Sequence, residues 1–159
     1  MKSKILLGRS FVIFFILSGC AINYPALPEA NLSPSKELKY IYRTDQKDRR
    51  RVLFKMLTTG YDKAVKQPKI IKISERDSAR LMRVMYLNSQ NQVVSDEDKF
   101  YAASVYNHAG GIKLTQDSTY FRIAYHLFNE LYTKGYKKAL TKSLMNESYS
   151  RWQSSLRNE

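Results

Sequence analysis

Apolar residues recur every three or four positions from residue 35 onward, which is the spacing of amphipathic α-helices. Capping residues and glycines divide this region into segments. The five predicted helices cover about 35–57, 74–89, 95–109, 117–134 and 137–156. Residues 69–73 (KIIKI) look strand-like but have no partner strand, and Ser74 is the expected N-cap of the second helix. The pattern predicts one small all-α domain over residues 35–159.

The first residues form a separate segment. Two lysines and Arg9 precede an apolar run over residues 11–17. That run is well short of the roughly 20 residues that a membrane-spanning helix needs. A positive segment followed by a short apolar run is typical of a secretory signal peptide.

This segment ends in Leu17-Ser18-Gly19-Cys20, which resembles the lipobox of bacterial lipoproteins. Cys20 is the one cysteine of the chain, so a disulfide framework and a cysteine-based metal cluster are excluded. The resemblance implies that residues 1–19 are a lipoprotein signal peptide and that Cys20 becomes a lipidated, membrane-anchored N-terminus. Ala21 stands where an Asp would be the usual inner-membrane retention signal, which favours the periplasmic face of the outer membrane.

Residues 20–34 contain three prolines and few charges, and they are predicted to be a flexible tether. In the polyproline II form the fourteen residues 21–34 would extend roughly 40 Å. Such a tether would hold the domain clear of the lipid headgroups.

The charge balance indicates an acidic partner. The chain carries 27 Lys and Arg against 14 Asp and Glu. Three of the basic residues lie in the predicted signal peptide, which leaves 24 against 14, or +10, in the mature chain. An exported, lipid-anchored domain meets little nucleic acid, so anionic envelope components or an envelope protein are the expected partners. The basic run 47–51 and the lysines at 63, 66, 69 and 72 form either a solvated face or a contact with lipid or lipopolysaccharide phosphates.

Charged residues interrupt the apolar stripes of two predicted helices. On a helical wheel Asp45 and Arg49 fall at the centre of the first stripe, with Gln46 and Asp48 beside it. In the second helix Asp77 is central and Arg80 lies at the margin, while His108 ends the third helix. An unpaired buried charge is costly, so these groups either pair with one another or border a wet cavity.

These residues carry a family resemblance. Residues 45–49 look like a D-Q-x-x-R signature, 76–80 like R-D-x-x-R, and 98–109 like D-x-[FY]-x-A-A-x-[VI]-[FY]-[QN]-H-[GA]. The set is similar to an uncharacterised bacterial domain family over about residues 40–152. The resemblance implies no reaction. It implies a shared constellation of Asp45, Gln46, Arg49, Asp77, Arg80 and His108. Ser150 stands where that family often has Asp, and its usual C-terminal tail is missing.

Three functions fit the sequence. The leading prediction is a membrane-anchored envelope lipoprotein that acts as a binding or accessory module. An envelope-polymer hydrolase is the second, with Asp45, Asp77 and His108 at the chemistry and Arg49 and Arg80 holding an anion. An immunity- or exclusion-type protective lipoprotein is the third. The sequence has no H-E-x-x-H pair, no Walker A motif and no G-x-S-x-G motif, so neither a metal nor a cofactor is predicted.

Overall fold

The computed structural model describes residues 24–28, 32–109 and 118–157, and within these residues helices are the regular secondary structure and no strand occurs. The prediction of a small all-α domain is therefore confirmed. The predicted signal peptide and Cys20 lie outside the described residues. The helices are α1 (Pro34–Thr59), α2 (Tyr61–Val65), α3 (Pro68–Ser89), α4 (Asp96–Ala109), α5 (Ser118–Thr133) and α6 (Lys138–Leu156).

The second predicted helix begins too late, and residues 69–73 are helical, not strand-like. α3 starts at Pro68, with Gln67 and not Ser74 at the N-cap position. Proline suits the first turn of a helix because its fixed φ is helical and its missing N–H would have no partner there. Ile73 is buried at 2% exposure and extends the α3 stripe, whereas Ile71 is 53% exposed. The short helix α2 was not predicted; Gly60, with φ at 78°, separates it from α1.

The core is built around α4, as its nearly continuous apolar character predicts. α4 packs against α1, α3 and α5, and most of its side chains are buried. Phe100 contacts the rings of Tyr42, Phe128 and Tyr136, with centroids 5.7, 5.9 and 6.0 Å away. α5 and α6 form the other layer of the domain and pack tightly against each other.

One end of the helical domain extends beyond this core. We call residues 52–73 the distal hairpin: it comprises the end of α1, all of α2 and the start of α3. Of its described side chains only Ala64 and Ile73 are buried. No helix in the described ranges is long and apolar enough to cross a bilayer.

Residues 24–28, which the sequence assigns to the flexible tether, contact the domain. The Tyr24 hydroxyl donates to Asp48 Oδ1 at 2.6 Å, and Arg76 Nη1 donates to the Tyr24 carbonyl at 2.8 Å. Leu27 packs against the hydrophobic core. A free tether over the whole of 20–34 is therefore wrong for residues 24–28, because Tyr24 bonds to buried charged groups that the sequence pattern did not connect to it.

Candidate functional site

The predicted site residues come together where α1, α3 and α4 meet. Their helical spacing explains the local pairs. Asp45 and Arg49 are one turn apart on α1, and Asp77 and Arg80 are one turn apart on α3. His108 reaches Asp45 from the last turn of α4. All five residues therefore belong to one continuous network of hydrogen bonds and ion pairs.

The inner part of this network is organised by Arg80, which has no exposed side-chain surface. Its Nη2 donates to Asp48 Oδ2 at 2.5 Å and its Nη1 donates to Asp77 Oδ1 at 2.9 Å. The prediction that Arg80 lies at the margin of the apolar stripe is therefore wrong. The α1 helix covers that side of α3, so Arg80 lies between two carboxylates and not at the solvent boundary.

The outer part of the network reaches solvent through Arg49 and His108. Arg49 Nη2 lies 2.5 Å from Asp77 Oδ2 and 3.3 Å from Asp45 Oδ1. His108 Nδ1 lies 2.6 Å from Asp45 Oδ2, and Gln46 Nε2 donates to that same oxygen at 3.3 Å. The side chains of Arg49 and His108 are 23% and 19% exposed, against 2% for Asp45.

Three further residues belong to the network, and the sequence analysis did not select them. Asp48 is completely buried and accepts from Arg80, Arg76 and Tyr24. Asp48 lies inside the D-Q-x-x-R segment and Arg76 opens the R-D-x-x-R segment, so both carried a signal in the sequence. Tyr24 carried none, because it lies in a proline-containing segment twenty-four residues before its partner.

The three buried carboxylates differ in their pKa values. Burial raises the pKa of each, since it disfavours the charged form. At Asp45 the hydrogen bond and charge of His108, helped by Arg49, outweigh burial and lower the pKa below 3.8. At Asp48 the hydrogen bonds from Tyr24 and Arg76 outweigh burial and also lower the pKa. At Asp77 burial prevails over Arg49, and the pKa is raised.

The arrangement leaves little carboxylate chemistry available. All six oxygens of Asp45, Asp48 and Asp77 lie within hydrogen-bond or ion-pair distance of Arg, His, Tyr or Gln groups. Because Asp45 is held as a carboxylate acceptor, His108 must carry its proton on Nδ1, which directs Nε2 away from Asp45. Within the described ranges no group of three His, Cys, Asp or Glu side chains is arranged to hold a metal ion.

Comparison with known proteins finds no matching family model, no matching curated protein and no matching solved structure. The resemblance to an uncharacterised bacterial family and to lipoproteins therefore stays a prediction from the motifs.

Proposed function

We propose that the chain is a membrane-anchored envelope lipoprotein whose helical domain acts as a binding or accessory module. One observation carries the choice of a module over an enzyme: every oxygen of the three buried carboxylates is already engaged by a cationic or polar partner. These contacts tie α1, α3 and α4 together through the carboxylates, although Arg80 Nε and Arg76 Nη2 have no partner among the described residues. Binding then falls to the exposed surfaces of the domain.

The anchoring part of the proposal rests on the N-terminal sequence. Cys20 follows a charged and then apolar leader, and it is the single thiol available for lipid attachment. Two or three acyl chains give a stable membrane anchor, whereas one gives marginal binding. We place the mature chain in the bacterial envelope, with the periplasmic face of the outer membrane favoured by Ala21.

Cys20→Ser tests the anchor. In cells grown with a labelled fatty acid, the wild-type chain should incorporate label and require detergent for release from membranes. Cys20→Ser should incorporate none, while Ser18→Ala, which keeps the thiol and a small residue beside it, should behave as wild type. A labelled Cys20→Ser chain, or an unlabelled wild type, would contradict the anchor.

Arg49→Ala tests whether the network is a structural clamp. Arg49 bridges Asp45 and Asp77, so its loss leaves two buried carboxylates short of a cation. The melting temperature should fall markedly, whereas Arg50→Ala, on the adjacent exposed position, should leave it nearly unchanged. A stable Arg49→Ala chain that no longer binds lipopolysaccharide or peptidoglycan fragments bound by wild type would instead make this edge a ligand pocket.

One observation supports a hydrolase as a second candidate. Asp45 holds His108 at 2.6 Å in the orientation by which a carboxylate positions a general base, and His108 is partly exposed. If this pair is catalytic, the protein should release soluble fragments from purified peptidoglycan, and His108→Gln should abolish the release without changing the melting temperature by more than a few degrees. Equal release by wild type and His108→Gln would exclude this role.

A further inference from the structure

An exposed row of four side chains runs along α1 and into the distal hairpin. Lys47, Arg50, Phe54 and Leu57 follow one another at spacings of three, four and three residues, which places them on one face of the helix. All four are exposed, with Phe54 at 46% and Leu57 at 77%. We call these four residues the α1 row. Two cations therefore give way to two large apolar groups along a single helical face.

The surroundings of this row continue the same chemistry. Leu53 is 58% exposed and Tyr61 is 66% exposed, so the apolar surface extends onto the start of α2. The distal hairpin carries Lys55, Lys63, Lys66 and Lys72. Within residues 52–73 the sequence has one acidic residue, Asp62. Among the described residues, none of these four lysines forms an ion pair. Their charge is available to an external anion.

Tyr24 fixes this surface close to the anchoring residue. Its ring lies beneath the cations of Lys47 and Arg51, 5.2 and 5.1 Å from the centroid, and its hydroxyl bonds to Asp48. Cys20 is only four positions earlier in the chain. Four residues extend at most about 14 Å, so an anchor on Cys20 stays within that distance of the Tyr24 backbone. The Lys47 ammonium, at the near end of the α1 row, lies 5.2 Å from the centroid of the Tyr24 ring.

The length of the row matches this placement. Leu57 is ten residues after Lys47, which corresponds to about 15 Å along a helix axis. A lipid attached at Cys20 would therefore hold the Lys47 end of the row near the bilayer, and the row is short enough for its Leu57 end to meet the same surface when α1 lies along it. The roughly 40 Å separation expected from a free tether does not apply, because Tyr24 is bonded to α1 and α3.

We propose that the α1 row and the distal hairpin dock on an anionic phospholipid surface, a role that rests on the proposed membrane anchor in the cell. Phe54 and Leu57 enter the boundary between headgroups and acyl chains, while Lys47, Arg50 and the hairpin lysines contact lipid phosphates. Basic and apolar groups on one helix face are the combination that holds a helix at a membrane interface. Cations near the surface of an anionic leaflet add to the binding.

A single-thiol chain tests the docking directly. Cys20→Ser removes the native thiol, and Leu57→Cys then provides the one site for an environment-sensitive fluorophore. The matched control carries the thiol at Leu140, which is exposed at 48% on α6. Vesicles of phosphatidylcholine alone are compared with vesicles that contain about 30% phosphatidylglycerol, because the anionic lipid is what the cations should recognise. Because residues 1–19 remain in this chain, the readout is the difference between the two label positions.

The fluorophore at position 57 should shift to the blue with the anionic vesicles and not with phosphatidylcholine, and the one at position 140 should not respond to either. Lys47→Glu/Arg50→Glu should weaken the anionic-vesicle response at position 57 at least about tenfold, since each cation near such a surface contributes about fivefold. Arg122→Glu/Lys142→Glu, with the same charge change at exposed positions elsewhere, should weaken it much less.

Equal responses at positions 57 and 140, or no response at position 57 with anionic vesicles, would overturn the docking. So would a blue shift at position 57 produced by an acidic envelope protein but not by the vesicles. Since the tested chain has no acylated cysteine, these results stand apart from the fatty-acid labelling of Cys20. Failure of the docking and failure of the anchor are therefore distinguishable.

Discussion

Arg80 of α3 and Asp48 of α1 form an ion pair of 2.5 Å in which both side chains are completely buried. Both residues lie in the middle turns of their helices, so the pair joins α1 to α3 away from the helix ends. Burying a charge pair is costly, but removing one partner is costlier, because the other charge stays buried without compensation. The pair therefore makes the packing of α1 on α3 depend on each member being present.

Arg80→Met is expected to lower the free energy of unfolding by about 3–5 kcal/mol, since Asp48 and Asp77 both lose a donor while the volume is nearly kept. Urea denaturation followed by circular dichroism measures this change. Lys134→Met is the matched control. Lys134 also contacts two carboxylates, at 2.8 and 3.1 Å, but its side chain is 46% exposed, so the effect should be much smaller. Similar losses in both variants would contradict the role of burial.

Acidification should lower the stability of the fold through Asp45 and Asp48 and raise it through Asp77. Asp45 and Asp48 have pKa values below the ordinary 3.8 in the folded chain, so the unfolded chain binds protons first. Their contribution to stability is present above the unfolded pKa and is lost as the pH falls through the folded values. Asp77 has a raised pKa, so the folded chain binds its proton first and acidification favours folding through this group.

Carbon-13 NMR titration of the aspartate carboxyls tests this order: Asp77 should titrate above 3.8, with Asp45 and Asp48 below it. In denaturation measurements between about pH 3 and 7, the stability advantage of wild type over Asp45→Asn should shrink as the pH falls. Its advantage over Asp77→Asn should grow. The same sign for both variants would show that one pKa direction is wrong.

The sequence predicts the contacts that lie within one helix. Asp45 with Arg49 and Asp77 with Arg80 follow from helical spacing, because residues three or four apart share a face. A helical wheel places a residue on a face but not against a particular neighbour. For that reason Asp48 seemed to flank the stripe and Arg80 seemed marginal, although both are fully buried.

The sequence pattern could not predict contacts that depend on the tertiary arrangement. Tyr24 and Arg76 both bond to Asp48, although they lie 24 positions before it and 28 positions after it in the chain. No local periodicity encodes contacts of this kind. The early start of α3 is different in kind. Pro68 is a residue typical of the first turn of a helix. The β-branched residues at 70, 71 and 73 nevertheless favour a strand by propensity. Burial of Ile73 against the domain overrides that preference.

Tyr24→Phe is expected to destabilise the chain by about 1–2 kcal/mol, because Asp48 loses one charge-assisted hydrogen bond in a buried setting. The ring that contacts Arg76, 4.8 Å from its centroid, is kept, so packing is preserved. Tyr40→Phe is the control: its hydroxyl donates to the Pro25 carbonyl at an exposed position, and its loss should matter less. The Tyr24 hydroxyl, whose pKa burial and Asp48 raise to about 12, should also titrate later than that of a solvent-exposed tyrosine.

Asn107 of α4 and Ser148 of α6 form a buried polar contact. Ser148 Oγ lies 2.9 Å from Asn107 Oδ1, and both side chains belong to the buried core. Among the described residues Asn107 Nδ2 has no partner, so Ser148 is the side-chain contact of this amide. The Ser148 hydroxyl also lies 2.8 Å from the Leu144 carbonyl, so its one proton is shared between two acceptors. Ser148→Ala should cost about 1–3 kcal/mol by leaving a buried acceptor unsatisfied.

The double variant Asn107→Leu/Ser148→Ala separates the hydrogen bond from the packing. Removing both polar partners should cost less than the sum of the two single changes, because no unsatisfied group remains. Ser155→Ala is the control, since Ser155 donates to the Trp152 carbonyl of its own helix at a half-buried site and has no side-chain acceptor in the part of the chain that the structure describes. Strictly additive costs in urea denaturation would mean that Asn107 and Ser148 stabilise the domain independently. A positive coupling would show that α6 is held on α4 through this pair.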